Sequence, residues 1–142
     1  MTIQSILADK GGDVHTIGAK EPVSRAVALL GEKRIGALPV VGDGHILGIM
    51  SERDVIYCLR DHGADALNWP VSEVMTSPAI TAEPSTPVLA AMAMMTERRI
   101  RHLPVVSGGD LVGIVSIGDL VKYRMDRIEQ EAEALRSYIQ SA

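Results

Sequence analysis

Shifting the 142-residue chain by 65 positions lays residues 14–55 over residues 79–120 without a gap, and 17 of those 42 paired positions are identical. An internal duplication of this kind restricts the fold severely, because one supersecondary unit must be built twice from one chain. The shared blocks are Pro22-Val23 with Pro87-Val88, Arg34-Ile35 with Arg99-Ile100, Leu38-Pro39-Val40-Val41 with Leu103-Pro104-Val105-Val106, and Gly48-Ile49 with Gly113-Ile114. Ser51 and Asp54 recur as Ser116 and Asp119. Upstream, Ile3-Gln4-Ser5-Ile6-Leu7 matches Val71-Ser72-Glu73-Val74-Met75 at a shift of 68, so the first copy carries three extra residues within 8–13. The repeating unit therefore includes a short leading helix.

Each copy reads as strand, helix, strand, strand, helix, an α/β (α+β) arrangement. Short β-prone pieces at 14–17 and 79–81 precede Pro22 and Pro87, which stand where a helix start tolerates proline. Val23, Ala26, Val27, Leu29 and Leu30 then keep helical spacing, as do Val88, Ala91, Met92 and Met95. Strands at 37–41 and 45–50 flank Gly42-Asp43-Gly44, which reads as a hairpin turn and not a phosphate loop, because strands lie on both sides. Ser107-Gly108-Gly109 is its counterpart. One copy spans only about 45–55 residues, a marginal size for an independent core, so the two are expected to pack together. The division is residues 1–61 for the first copy with its leading helix, 62–70 for a linker, 71–124 for the second copy and 125–142 for a helical extension. Trp69 in the linker is expected to cover an apolar seam.

With 46% apolar and 23% charged residues the chain can bury a core, which will be aliphatic: there is no Phe, one Trp and three Tyr. A formal charge of −4 and few aromatics leave neither a basic field nor stacking residues for nucleic acid. No apolar run reaches the ~18 residues of a membrane span. The first residues lack the pattern of a secretory signal, and Cys58 stands alone, so a cytoplasmic location is expected. His15, His45, His62 and His102 show no metal-ligand spacing, and no metal is expected. Cys58 has no activating partner in sequence and reads as a packing thiol. No nucleophile elbow, Walker loop or dinucleotide fingerprint is present, so no catalytic residue is assigned.

After the second hairpin strand stand Ser51-Glu52-Arg53-Asp54 and Ser116-Ile117-Gly118-Asp119, each opening a helix. Ser-x-x-Asp is a capping box. The same helix start also suits an anion, with a hydroxyl for phosphate and a carboxylate for two ribose hydroxyls. Repetition does not separate these readings, because duplicated structure duplicates its caps. The strings from Arg34 to Val41 and from Gly48 to Asp54, with their second versions ending at Asp119, resemble the cystathionine β-synthase (CBS) domain, and two copies resemble a stand-alone Bateman module.

That resemblance covers nearly the whole chain, from Ile3 to about Arg124. It implies two β-α-β-β-α repeats about a pseudo-two-fold axis, a disc-like dimer, and a cleft between the copies for an adenosyl ligand: AMP first, then ATP, ADP, NAD(H) or S-adenosylmethionine. It implies no catalytic cofactor. By position, Asp54 and Asp119 would hold ribose hydroxyls, and Ser51 and Ser116 would meet ribose or phosphate. Adenine would lie near Thr16, Ala37 and Pro39, or near Thr81, His102 and Pro104. Arg53 and Arg101 are candidates for phosphate, with solvated surface arginines as the open alternative. Because Arg101 and His102 correspond to Gly36 and Ala37 of the other copy, and Arg53 to Gly118, the two sites are expected to be unequal.

Beyond the second copy, Met125, Ile128, Ala132, Leu135 and Ile139 form an apolar stripe opposite Glu129, Glu131, Glu133 and Arg136. It could fold back on its own module, but a homodimer contact is the favoured expectation. The expected function is a non-catalytic nucleotide sensor acting on a partner protein that the sequence does not name. A structural dimerisation adaptor, whose Ser-x-x-Asp motifs are only caps, is the alternative.

Overall fold

The computed structural model describes residues 1–141, and Ala142, the last residue of the expected extension, lies outside them. The element order is α1 (Ile3–Lys10), β1 (Ile17–Gly18), α2 (Val23–Lys33), β2 (Ala37–Gly42), β3 (His45–Ser51), α3 (Glu52–His62), α4 (Val88–Arg98), β4 (His102–Ser107), β5 (Asp110–Ser116) and α5 (Ile117–Ser141). Short 3-10 turns at Gly63–Asn68 and Val71–Glu73 carry the chain from α3 into the second copy.

The hairpins close as their turn residues require. Asp43 and Gly44 have φ of 52° and 78°, and Gly108 and Gly109 have 58° and 87°. Positive φ at both central residues is the two-residue turn whose twist matches that of the flanking strands. Pairing then runs from Ala37 opposite Ser51 to Gly42 opposite His45, and equivalently from His102 opposite Ser116 to Ser107 opposite Asp110.

The leading strands fall later and are shorter than the sequence reading placed them. β1 is the pair Ile17–Gly18 beside Val40 and Val41, and its counterpart shrinks to a single bridge between Ala82 and Val105. The cause lies in the partner strands. Val106 donates its N–H to the Ala82 carbonyl at 2.8 Å. Two residues earlier on the same edge stands Pro104, which has no N–H to donate, and Pro39 holds the same place in β2. Parallel pairing therefore cannot extend back toward Val14 or Ala79.

Two aliphatic cores result, one per half, and the leading elements are exchanged between them. Ile3, Ile6 and Leu7 of α1 are buried with Val88, Met95 and Leu103 of the second half. Val71, Val74 and Met75 pack against Val23, Leu38 and Met50 of the first. Backbone bonds repeat the exchange pair by pair. Ile3 N donates to Thr86 O at 2.9 Å and Val71 N to Glu21 O at 2.8 Å; Val88 N donates to Met1 O and Val23 N to Trp69 O. The two copies are thus interlocked about an approximate two-fold, and the sequence boundary between them does not divide the packing. Trp69 packs on the first core, with its ring 4.7 Å from that of His62.

Glycines mark where the leading elements cross the hairpins. A Cβ on Gly48 would stand 2.6 Å from the Thr76 carbonyl oxygen, and one on Gly113 would stand 2.6 Å from Leu7 Cδ2. α5 runs on as one 25-residue helix whose Leu120 is buried, but Met125, Ile128, Leu135 and Ile139 are 49–64% exposed. The stripe does not fold back on its own module.

Candidate functional site

α3 begins with the capping box that the sequence spells. Ser51 N and Ser51 Oγ donate to Asp54 Oδ2 at 2.8 and 2.9 Å, and Asp54 N donates to Ser51 Oγ at 3.2 Å. At α5, Ser116 N donates to Asp119 Oδ2 at 2.8 Å and Asp119 N to Ser116 Oγ at 3.1 Å. Both motifs therefore cap their helices. Capping fixes each carboxylate at the positive end of a helix, beside the mouth of a cleft.

Above the α3 start opens a cavity of about 120 Å³, bounded by Gly36, Ala37, Ile49, Ser51, Glu52, Arg53, Asp54, Thr76, Ile80, Ile100, Arg101 and His102. Six residues picked from the sequence meet here: Ala37, Ser51, Arg53, Asp54, Arg101 and His102. Ile49, Ile80 and Ile100 give an apolar surface, the serine and aspartate give polar anchors, and the arginines come from opposite copies. Arg53 reaches across the cleft and donates from Nη1 to the Arg99 carbonyl at 2.9 Å. Arg99 ends α4 in the left-handed conformation, with φ 55°.

The remaining sequence candidates lie elsewhere. Pro39 and Pro104 are buried mid-strand opposite Ile49 and Ile114. Thr16 is exposed ahead of β1, and Thr81 is half-buried beside the Ala82 bridge. None of these four lines the Asp54 cavity. Ser116 lies in the two-fold equivalent of that cavity, with Lys10, Asp13, His15, Arg34, Ile35, Gly36, Ala37, His102 and Ile114. Asp119 lies in an adjoining depression with Lys10, Lys122, Tyr123 and Asp126. Sequence reasoning missed Thr76, whose Oγ1 donates to Asp54 Oδ1 at 2.9 Å, and Lys10, whose Nζ donates to Asp119 Oδ2 at 2.7 Å.

His102 stands at the junction of the two clefts and lines both. A Cβ on Gly36 would come within 2.7 Å of its ring, so a larger residue there would have to push the imidazole aside. Burial, then the neighbouring Arg101 charge, push the His102 pKa below its usual value near 6.5, against the opposing pull of Glu52 and Asp119. A group whose pKa is lower folded than unfolded adds stability above the unfolded pKa and loses it as pH falls below. Wild type is therefore expected to lose more stability than His102→Gln between about pH 7 and pH 5.5, read from urea midpoints at each pH.

At Asp119, burial pushes the carboxyl pKa up, but the hydrogen bond from Lys10 and those from Ser116 outweigh it and hold the group below the usual carboxylate range. Cys58 is a packing thiol. It is 6% exposed with Sγ 3.2 Å from the Val55 carbonyl, and burial, then the nearby Asp54 charge, raise its pKa.

The CBS domain family model matches the chain twice, over residues 7–61 and 71–126. The chain belongs to the CBS-domain family. It is 34% identical over 148 residues to the mitochondrial CBS domain-containing protein CBSX3 of Arabidopsis thaliana, covering 98% of this chain and 72% of that one. Its fold superposes with a TM-score of 0.84 and 38% identity on the CBS-domain protein ATU1752 of Agrobacterium tumefaciens, across 87% of this chain and 99% of that one. At 25% identity it also superposes on CBSX2 in complex with AMP, with a TM-score of 0.75 over 88% and 96% of the two chains. The CBS pair of protein MJ0100 with 5-methylthioadenosine and S-adenosyl-L-methionine gives 0.79 at 25% identity, over 89% and 98%. The protein is thus a CBS pair, the module of a regulatory class. Among the described residues no helix is long and apolar enough to cross a membrane.

Proposed function

We propose that this CBS pair senses an adenine nucleotide in the cleft at Asp54 and passes its occupancy to a partner protein in the cytoplasm, without catalysing a reaction. AMP is the first ligand, ahead of ATP, ADP, NAD(H) and S-adenosylmethionine. The observation that carries this reading is the gathering of Ser51, Asp54, Arg53 and Arg101 around one apolar-walled cavity. The structural relatives hold AMP, or methylthioadenosine and S-adenosylmethionine. Their shared part is the adenosyl group, whose ribose hydroxyls suit a fixed carboxylate and whose base suits the isoleucine wall. A bound nucleotide would bridge the copies and so bias their relative position by its differential affinity for each arrangement.

The dimerisation-adaptor reading keeps one observation in its favour: both capping boxes are complete without any ligand. Titration calorimetry against AMP, ADP, ATP, NAD and S-adenosylmethionine separates the two. Heat from at least one adenosyl compound supports the sensor, and silence from all of them leaves the adaptor.

A homodimer belongs to the same proposal. The exposed stripe of Met125, Ile128, Leu135 and Ile139 on α5 is the apolar surface such a contact would cover. Sedimentation is expected to give a dimer for wild type and a monomer of unchanged helicity for the double variant Ile128→Glu, Leu135→Glu. A dimer that survives the double variant would place the contact elsewhere.

A further inference from the structure

We propose that Lys10 occupies the carboxylate anchor of the second cleft, so that each chain takes one adenosyl ligand, at Asp54; this rests on the reading of the Asp54 cleft as the nucleotide site. Up to Leu7 and Met75 the two leading elements are equivalent, each pressed onto the glycine of a hairpin strand. Then they diverge. In the first half, Thr76 turns alongside β3: its N–H donates to Ile49 O at 2.9 Å and its hydroxyl to Asp54 Oδ1 at 2.9 Å. In the second half the three extra residues let α1 run on to Lys10, where Gly11 ends it at φ 94°. The single ammonium replaces both donors of Thr76. It lies 2.9 Å from the Ile114 carbonyl, the counterpart of Ile49, and 2.7 Å from Asp119, the counterpart of Asp54.

The two arrangements differ in what a ribose would meet. A threonine hydroxyl can rotate and accept a hydrogen bond when a ribose hydroxyl arrives to donate to the carboxylate. An ammonium has donors only, and it sits on Asp119 Oδ2, the oxygen that also accepts from Ser116 N, as a full positive charge beside the carboxylate a ribose would need. The cleft beside Ser116 is itself open, about 410 Å³, so the ammonium acts at the carboxylate and not by filling the space. Ser51 and Asp54 share one cavity, whereas Ser116 and Asp119 lie in two, and Lys10 is the one described residue that lines both. A nucleotide in the second half would have to share the Asp119 carboxylate with the Lys10 ammonium or displace it.

The test is the number of AMP molecules bound per chain, measured by calorimetry on the full chain. Wild type is expected to bind one, Lys10→Met two, and the double variant Asp54→Ala, Lys10→Met one with undiminished affinity and a second weakened ten- to a hundredfold. Retained binding at Asp54 in Lys10→Met serves as the check that this variant is folded. Two AMP per wild-type chain would overturn the proposal. So would a folded Lys10→Met that still binds one, or binding weakened by that change, which would make Lys10 a phosphate contact. No AMP bound by wild type or by either variant would instead remove the reading of the Asp54 cleft as an AMP site.

Discussion

Replacing Asp54 by alanine is expected to weaken AMP binding ten- to a hundredfold, with a smaller loss of stability. A hydrogen bond involving an ionised group contributes about 1.5–3 kcal/mol, which converts to roughly that range in dissociation constant. The same carboxylate accepts from Ser51 N and Ser51 Oγ at the start of α3, so its removal also weakens a helix cap, at about 1 kcal/mol. The two readings of the Ser-x-x-Asp motif part here. If the motif is only a cap, Asp54→Ala lowers the urea midpoint and leaves AMP heats as they were. If it also binds ribose, the affinity falls as well, and 2′-deoxy-AMP titrated into wild type shows part of the same loss. Asp119→Ala, whose carboxylate is held by Lys10, is expected to leave the affinity unchanged.

Leu38→Ala is expected to lower stability by about 2–5 kcal/mol, the range for truncating a fully buried leucine. Leu38 has no exposed surface and lies with Val23 and Met50 in the first core, and Leu103 holds the same place in the second. A loss of this size is a large part of the roughly 5–15 kcal/mol that holds a domain folded. The interlocked leading elements extend the prediction. α1 completes the second core, and the segment from Val71 to Met75 completes the first, so damage to either core should be felt in both. Leu38→Ala and Leu103→Ala are each expected to shift one unfolding transition followed by circular dichroism and by Trp69 fluorescence. Two separated transitions, with only the first moved by Leu38→Ala, would show that the halves fold apart.

The parts of this fold that were readable in the sequence are those set by local chemistry. The 65-residue repeat, the Asp43-Gly44 and Gly108-Gly109 turns, the helical spacing after Pro22 and Pro87, and both capping boxes need only neighbouring residues to declare themselves. The apolar pattern of Ile3, Ile6 and Leu7 announced that the leading helix is buried, but not in which half. That choice depends on glycines 27 and 106 residues away, Gly48 for Met75 and Gly113 for Leu7, being able to admit a neighbour. The start of β1 was misplaced because it is decided by the missing N–H of Pro39 on another strand.

The site divides the same way. Ser51, Arg53 and Asp54 came from one contiguous motif, and Arg101 and His102 from comparing the two copies. Thr76 and Lys10 act across 22 and 109 residues of chain. Their only trace was the length difference after the leading helix. Thr16, Pro39, Thr81 and Pro104 were placed by family position alone, and backbone around a cleft leaves no side-chain pattern to check them by.

A crystal structure of the chain soaked or grown with AMP tests the central claim most directly. The account predicts one nucleotide per chain between the copies, with its ribose hydroxyls on the Asp54 carboxylate, adenine against Ile49, Ile80 or Ile100, and phosphate toward Arg53 and Arg101. An Asp54 cleft that stays empty at saturating AMP, or a nucleotide seated elsewhere on the chain, would contradict it.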